Sequence, residues 1–308
     1  MFISPSRIAH MYYEEGKTQQ EIANLVGMSR IQISRVLQQA RVDGTVRISI
    51  DYDGYFPELE GGLSEKYPDV QFVVADSLDG SDAAIKRSIG VTAADYLVHR
   101  VPDGVKVAVG WGTTLRELGQ RHDAKVKNMI FIPLIGGQVG AGLDVHANSI
   151  AELLAQRLGG RALRMFAPAV AETKKIRDQL VASRPLRDTL AEAASAQVAL
   201  FSVGSPFATT TTIDKIGYFT PDEVEQLRKD GAACDIISLR YYDSVGKECG
   251  QKLSSRTVSI TAEQLFDIPL KICPAGGEDK HEAIGIALGL GLIDVLVTDD
   301  ATARFLLA

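Results

Sequence analysis

Between Arg30 and Gln39 the chain reads RIQISRVLQQ: two arginines, three glutamines and Ser34, with no acidic group among them. Guanidinium groups pair with guanine and carboxamides with adenine, so these side chains can read base edges in a DNA major groove. They can do so only from one face of a helix whose other face is held down, and Ile33, Val36 and Leu37 supply that apolar stripe. Ser29 caps this helix, which is expected over Arg30 to Val42 and closes at Asp43-Gly44. Upstream, Thr18 stands three residues before Glu21, a capping-box spacing that opens a second helix, QQEIANLVG. Ala23 is the small residue a close helix crossing needs, and Gly27 supplies the positive φ of the turn. A first helix, Arg7 to Glu15, carries Ile8, Met11 and Tyr12 at helical spacing and closes at Gly16. Thr45 to Ile50 (TVRISI) alternates like a half-buried strand. Cap, small residue, turn glycine and apolar stripe agree in register, where a merely solvated helical hairpin would need no such agreement. Arg30, Gln32, Ser34 and Arg35 are placed for base edges, with Ser29 at the cap beside them. Thr18, Gln20, Arg41 and Arg47 are placed for phosphates.

A second set of residues lies at glycine turns after apolar strands. VKVAVGWGTTLREL runs from a strand through Gly110 and Gly112 into a helix opened by Thr113-Thr114. Helix N-termini offer unpaired N–H groups to an anion. No third glycine follows and no phosphate-loop lysine appears, so this is not a dinucleotide fingerprint; a tight turn would have the same sequence. Gly136-Gly137 and Gly276-Gly277 end two further strands, and in a parallel sheet such ends converge on one edge. Lys280 follows near the start of the next helix, where a cation opposes the helix dipole. An anionic ligand would explain it, and a surface lysine would need no ligand. Asp235 could bind polyol hydroxyls or anchor its own loop. His146 and Asn148 suit capping and loop anchoring better than catalysis, since neither has a nucleophile partner.

The elements that must position these residues divide the chain. Residues 1–51 read as the helix-turn-helix unit and 52–68, rich in glycine, proline and acids, as a linker with room for a short helix. From 69 to 308 apolar strands alternate with helices, the pattern of a doubly wound parallel sheet. The 308 residues carry a net charge of −6, which seems to count against nucleic acid. That charge is unevenly divided. Residues 1–50 hold six basic groups against four acidic ones, leaving 27 against 35 for the remainder. Three irregularly spaced cysteines (Cys234, Cys249, Cys273) make neither a disulfide framework nor a zinc site, and the histidines show no metal-ligand spacing. No metal or cofactor is expected. There is no signal-peptide pattern and no apolar run of membrane-spanning length, so the expected location is cytoplasmic.

Four blocks carry a resemblance over nearly the whole length: RIAHMYYEEGKTQQEIANLVGMSRIQISRVLQQA, GWGTTL, IPLIGG with HANSIAELLA, and AGGEDKHEAIGIALGLGLIDVLVTDDATARFLL. With them the chain resembles the SorC-type (sugar-binding, DeoR-like) bacterial transcriptional regulators. The resemblance implies a winged helix-turn-helix joined to a Rossmann-like effector domain, assembled as a homotetramer (a dimer of dimers) on double-stranded operator DNA. By position it also implies an effector pocket of Gly112, Thr113, Thr114, Gly136, Gly137, Gln138, Asp235, Gly277 and Lys280. Two departures stand out. Cys234 replaces a glycine before Asp235, which would narrow or reshape the pocket, and Gly204 to Thr212 departs from the family's Gly-Ile-Gly run. The expected function is control of a carbohydrate or polyol catabolic operon by a sugar, sugar alcohol or phosphosugar. The alternative is a phosphosugar isomerase or deaminase carrying a DNA-binding attachment. Against it, no carboxylate–histidine acid–base set is recognisable.

Overall fold

The structure, a computed structural model, describes residues 4–43, 45–46, 56–121, 128–137, 145–208, 219–237 and 240–308. The chain divides into two compact units, Met1–Tyr52 and Asp53–Ala308.

In the first unit, α1 (Pro5–Tyr13), α2 (Gln19–Val26) and α3 (Arg30–Val42) follow the expected boundaries closely. Local chemistry fixes each end. Thr18 and Glu21 form a reciprocal capping box, Gly27 turns at φ +70°, and Ser29 with Gln32 forms a second box. Ile8, Ala9, Met11, Ile22, Ala23, Ile33 and Leu37 make the core of the unit, with Val36 only partly covered. The strand expected over Thr45–Ile50, and with it the wing, lies outside the described residues apart from Thr45 and Val46.

The second unit is built on a seven-stranded sheet in the order β1-β11-β10-β5-β2-β3-β4. The strands are β1 (Gln71–Ala75), β2 (Lys106–Val109), β3 (Ile130–Pro133), β4 (Arg161–Ala162), β5 (Val198–Leu200), β10 (Leu270–Pro274) and β11 (Val295–Asp299), all paired in parallel. Side chains alternate across it. Val107, Val109, Phe131, Val198, Leu200 and Ile272 face α5 (Asp82–Arg100), α6 (Thr113–Glu117) and α7 (Ala147–Leu154). Phe72, Ala108, Ile132, Ala199, Cys273 and Leu296 face the opposite layer. That layer includes α4 (Pro57–Lys66), α9 (Arg184–Ala194), α13 (His281–Gly289) and α14 (Asp300–Leu307). Burial on both faces explains the near-continuous apolar strands.

Two features add to the alternation of strands and helices read from the sequence. Residues 57–66 of the presumed linker form α4, whose Leu63 is fully buried in the core of the second unit. Phe56, Leu59 and Tyr67 of the same segment pack against that core, partly buried. The second feature is a four-stranded antiparallel sheet beside the parallel one. It pairs β6 (Val203–Gly204), β7 (Ala232–Ile236), β8 (Arg240–Asp243) and β9 (Glu248–Cys249). Asp235 belongs to β7 rather than to a loop. At the sheet edge, β4 is only two residues long, Arg161–Ala162, so of the apolar stretch 162–168 (ALRMFAP) only Ala162 is strand.

Candidate functional site

In strand order, β2 is followed towards one edge by β3 and β4, and β5 towards the other by β10 and β11. The order therefore reverses between the neighbours β2 and β5, and a crevice opens beyond their carboxyl ends. An open cavity of about 620 Å³, mouth included, occupies this position. Trp111 to Thr114 reach it from β2, Ser202 to Ser205 from β5, and Lys280 from the turn after β10. Lys86 of α5 and Asp235 and Ile237 at the end of β7 complete the parts of the lining that carry chemistry.

Its electrostatics are those of an anion site. Lys86 is only 9 % exposed and pairs with Asp82 at 2.7 Å. Lys280 keeps some surface as a residue, but its ammonium lies deep and donates to Ser202 Oγ at 3.3 Å. Burial, followed by the positive charge of Lys86, pulls the Lys280 ammonium down to about 8. Thr114 is 2 % exposed, and its Oγ1 has no hydrogen-bond partner among the described residues. A buried hydroxyl left unpaired costs about 1–3 kcal/mol, which a ligand oxygen would recover. Two desolvated ammonium groups and an unsatisfied hydroxyl at one opening suit a phosphate or carboxylate. Asp235 on the same lining suits hydroxyl groups.

Backbone conformation supports this arrangement at three points. Gly112, at φ +128°, starts α6 and anchors its N–H on Val145 O at 3.0 Å. Gly277, at φ +90°, donates to Asp299 Oδ2 at 2.9 Å and Thr302 Oγ1 at 3.0 Å, setting the turn that delivers Lys280. Ile237 is a β-branched residue at φ +47°, a conformation costing about 1–3 kcal/mol, and it stands on the pocket wall.

Of the expected pocket residues, Gly112, Thr113, Thr114, Asp235 and Lys280 come together on the cavity. Gly136 and Gly137 are not on its described lining. A Cβ on Gly136 would lie 2.4 Å from the Pro168 carbonyl, and Gly137 N–H donates to Ala167 O at 2.9 Å. Gly136 lets one backbone cross another, whereas a Cβ on Gly137 would meet only the Asn148 side chain, at 3.2 Å. Gly277 acts from behind the lining, and Gln138 lies outside the described residues. Cys234 is fully buried in the core and not on the pocket wall, because Asp235 beside it takes the other face of β7. Gly204 does line the cavity despite its departure from the family run; Thr209 to Thr212 lie outside the described residues. Sequence reasoning missed Lys86, Trp111, Ser202, Val203, Ser205, Ala208 and Ile237. Lys86 alone left a signal, as a lysine on the buried side of an otherwise apolar helix face. His146 is buried against Trp111, and Asn148 clamps Met165 through both backbone groups at 2.8 and 2.9 Å, so it anchors the loop as expected.

In the first unit Thr18, Gln20, Ser29, Arg30, Gln32, Ser34, Arg35 and Arg41 are all exposed. Gln32 is occupied: its Oε1 accepts from Ser29 N at 2.8 Å. Gln20 donates to Asn24 Oδ1 at 3.1 Å, and Arg41 Nε donates to Tyr13 Oη at 2.8 Å. Arg47 lies outside the described residues. Among the described residues no cluster of three metal-ligating side chains occurs, and no helix is long and apolar enough to cross a membrane.

Residues 56–308 match the family described as "Putative sugar-binding domain". The sorbitol operon regulator of Klebsiella pneumoniae is 31 % identical over 310 residues, covering 98 % of this chain and 96 % of that protein. The deoxyribonucleoside regulator of Bacillus subtilis is 29 % identical, covering 97 % and 95 %. The crystal structure of the full-length sorbitol operon regulator SorC from Klebsiella pneumoniae superposes with a TM-score of 0.84 at 29 % identity, covering 99 % of this chain and 98 % of that one. The chain belongs to the SorC-type family of sugar-binding transcriptional regulators.

Proposed function

We propose that the chain is a transcriptional regulator whose N-terminal unit binds double-stranded operator DNA, and whose operator affinity is set by a ligand in the β2–β5 pocket. It controls a carbohydrate or polyol catabolic operon in the cytoplasm, and it is not an enzyme. The ligand is a sugar, sugar alcohol or phosphosugar, and the phosphorylated class fits best. One observation carries that choice: Lys86 and Lys280 stand on the same lining as the unpartnered Thr114 hydroxyl. The polyol hydroxyls of the same ligand face Asp235. Gly277 serves by shaping the Lys280 turn.

On the DNA side, Arg30, Ser34 and Arg35 reach base edges, with Gln32 holding the helix start as part of the cap. Thr18, Gln20, Arg41 and Arg47 hold phosphates. Six basic groups against four acidic ones in residues 1–50 give one module only a small excess of charge. Tight binding then requires several modules on one operator, which a homotetramer built as a dimer of dimers provides. Effector and operator share a coupling free energy of about 1–3 kcal/mol, equal in both directions.

The test is a thermal-shift screen of the full chain against sugars, sugar alcohols and their phosphates, followed by operator titration with the strongest hit. The expected result is a larger rise in Tm for a phosphate ester than for its parent, and a change in operator affinity of about 5- to 150-fold. A panel that leaves Tm unchanged throughout would overturn the pocket assignment.

A further inference from the structure

The outward face of α3 contains one residue that base pairing by hydrogen bonds does not explain. Ile33, Leu37 and Ala40 are buried at 0–3 % exposure and define the inner face of the helix. At 3.6 residues per turn, the opposite stripe is Ile31, Ser34, Arg35 and Gln38, spaced i, i+3, i+4 and i+7. Ile31 lies in its first turn and is 67 % exposed. Solvent favours no isoleucine there, and neither does helix propensity, since β-branching restricts the side chain in a helix. A single exposed aliphatic residue is ordinary on a protein surface. This one shares its face with an arginine and a glutamine, on the element that presents its N-terminal turns to the major groove. Gln32, the neighbour that could otherwise contribute there, is held in the cap by its bond from Ser29 N.

The major groove displays one exposed methyl group, the C5-methyl of thymine. We infer that Ile31 is a specificity-determining residue that packs on the C5-methyl of a thymine in each operator half-site, beside the base pairs read by Ser34 and Arg35. The inference rests on the DNA-binding reading of the N-terminal unit. It adds a contact that carries sequence information without a hydrogen bond, and without a charge that salt would screen.

The experiment starts with selection of duplexes from a random library by the full-length chain. Each thymine of the selected site is then replaced singly by deoxyuridine, which removes the methyl and nothing else. For the unaltered protein, one position per half-site should weaken binding about fourfold, the worth of one buried methyl-sized group. Ile31→Ala should bind the thymine and deoxyuridine duplexes equally, with an unchanged Tm because the side chain is exposed. If no sequence is enriched, the DNA-binding reading fails and this inference fails with it. If a site is enriched but no thymine methyl matters, the role of Ile31 is overturned while DNA binding stands. If the methyl effect survives in Ile31→Ala, another residue reads it and the assignment is equally overturned.

Discussion

The two units handle positive charge in opposite ways. On α3, Arg30 and Arg35 stand exposed to solvent. In the pocket, Lys86 and the ammonium of Lys280 are withdrawn from water and repel one another. A hydrated cation costs the fold little and attracts any polyanion, so selectivity has to come from its neighbours along the helix. A desolvated cation destabilises the empty protein, and the right anion reverses that cost. The first arrangement suits a long, uniform partner, and the second suits a small one that must be distinguished from its uncharged analogue.

Breaking each half of this contrast should have separable effects. The largest is expected from Arg35→Ala. A bidentate arginine–guanine pair contributes about 1–3 kcal/mol, so each half-site should lose about 5- to 150-fold. Fluorescence anisotropy at fixed salt should show this loss with ligand affinity unchanged; an unchanged operator affinity would remove Arg35 from the reading face.

Next comes Lys280→Ala, which should weaken a phosphorylated ligand by about 1.5–3 kcal/mol and leave its unphosphorylated parent nearly unaffected. Equal losses by calorimetry would rule out the anion role. The pH dependence follows from the same group. Lys280 is held down to about 8 in the free protein, so its charge is lost as pH rises through that value. Phosphate-ester affinity should therefore fall from pH 7 to 9 in the unaltered chain and stay flatter in Lys280→Ala. Stability has the opposite slope. Lys280 loses its proton in the folded chain near 8 but only near 10.5 when unfolded, so the unfolded state binds more protons across that window. This group alone raises stability between pH 8 and 10.5.

Gly136→Ala sharpens the contrast by separating architecture from site. Its Cβ would meet backbone at 2.4 Å, so a loss of about 1–3 kcal/mol is expected in denaturant unfolding. Stability at the level of the unaltered chain would contradict the crossing described here. The smallest effect is that of Ser29→Ala, which removes the cap bond at 3.2 Å to Gln32 N. About 1 kcal/mol should be lost from the N-terminal unit, with pocket affinity unchanged. A loss of ligand affinity would show that the two functions are not separable in this way.

The contrast also explains what could be read from sequence. In the N-terminal unit the determinants are local: Thr18 with Glu21, Gly27, and Ser29 with Gln32 all act within four residues. The parallel sheet was legible too, because burial on both faces leaves continuous apolar strands. The pocket was only half legible. Thr113, Thr114 and Lys280 sit at turns that advertise themselves, whereas Ser202 meets them only because β2 and β5 are neighbours, and Lys86 only because α5 packs against α6. Strand order is a long-range property that no spacing encodes. The same reason hid the antiparallel sheet, whose strands of two to five residues include the polar stretches RYYD and EC. Gly136 shows that a glycine after a strand can serve a backbone crossing as well as a ligand turn, two uses that sequence alone does not separate.

The packing of α4 against α14 bears on the order in which the two units acquire structure. Lys66 Nζ donates to Leu306 O across 240 residues of chain, and a Cβ on Gly62 would touch Leu307 at 3.2 Å. The opening helix of the larger unit thus finds its partner only when residues 300–307 have been made, and β1 likewise waits for β11. The three N-terminal helices need nothing beyond their own neighbourhood. Contacts so close in sequence form fast, and those separated by most of the chain form slowly. On the ribosome the N-terminal unit can therefore fold while the larger unit is still an incomplete sheet.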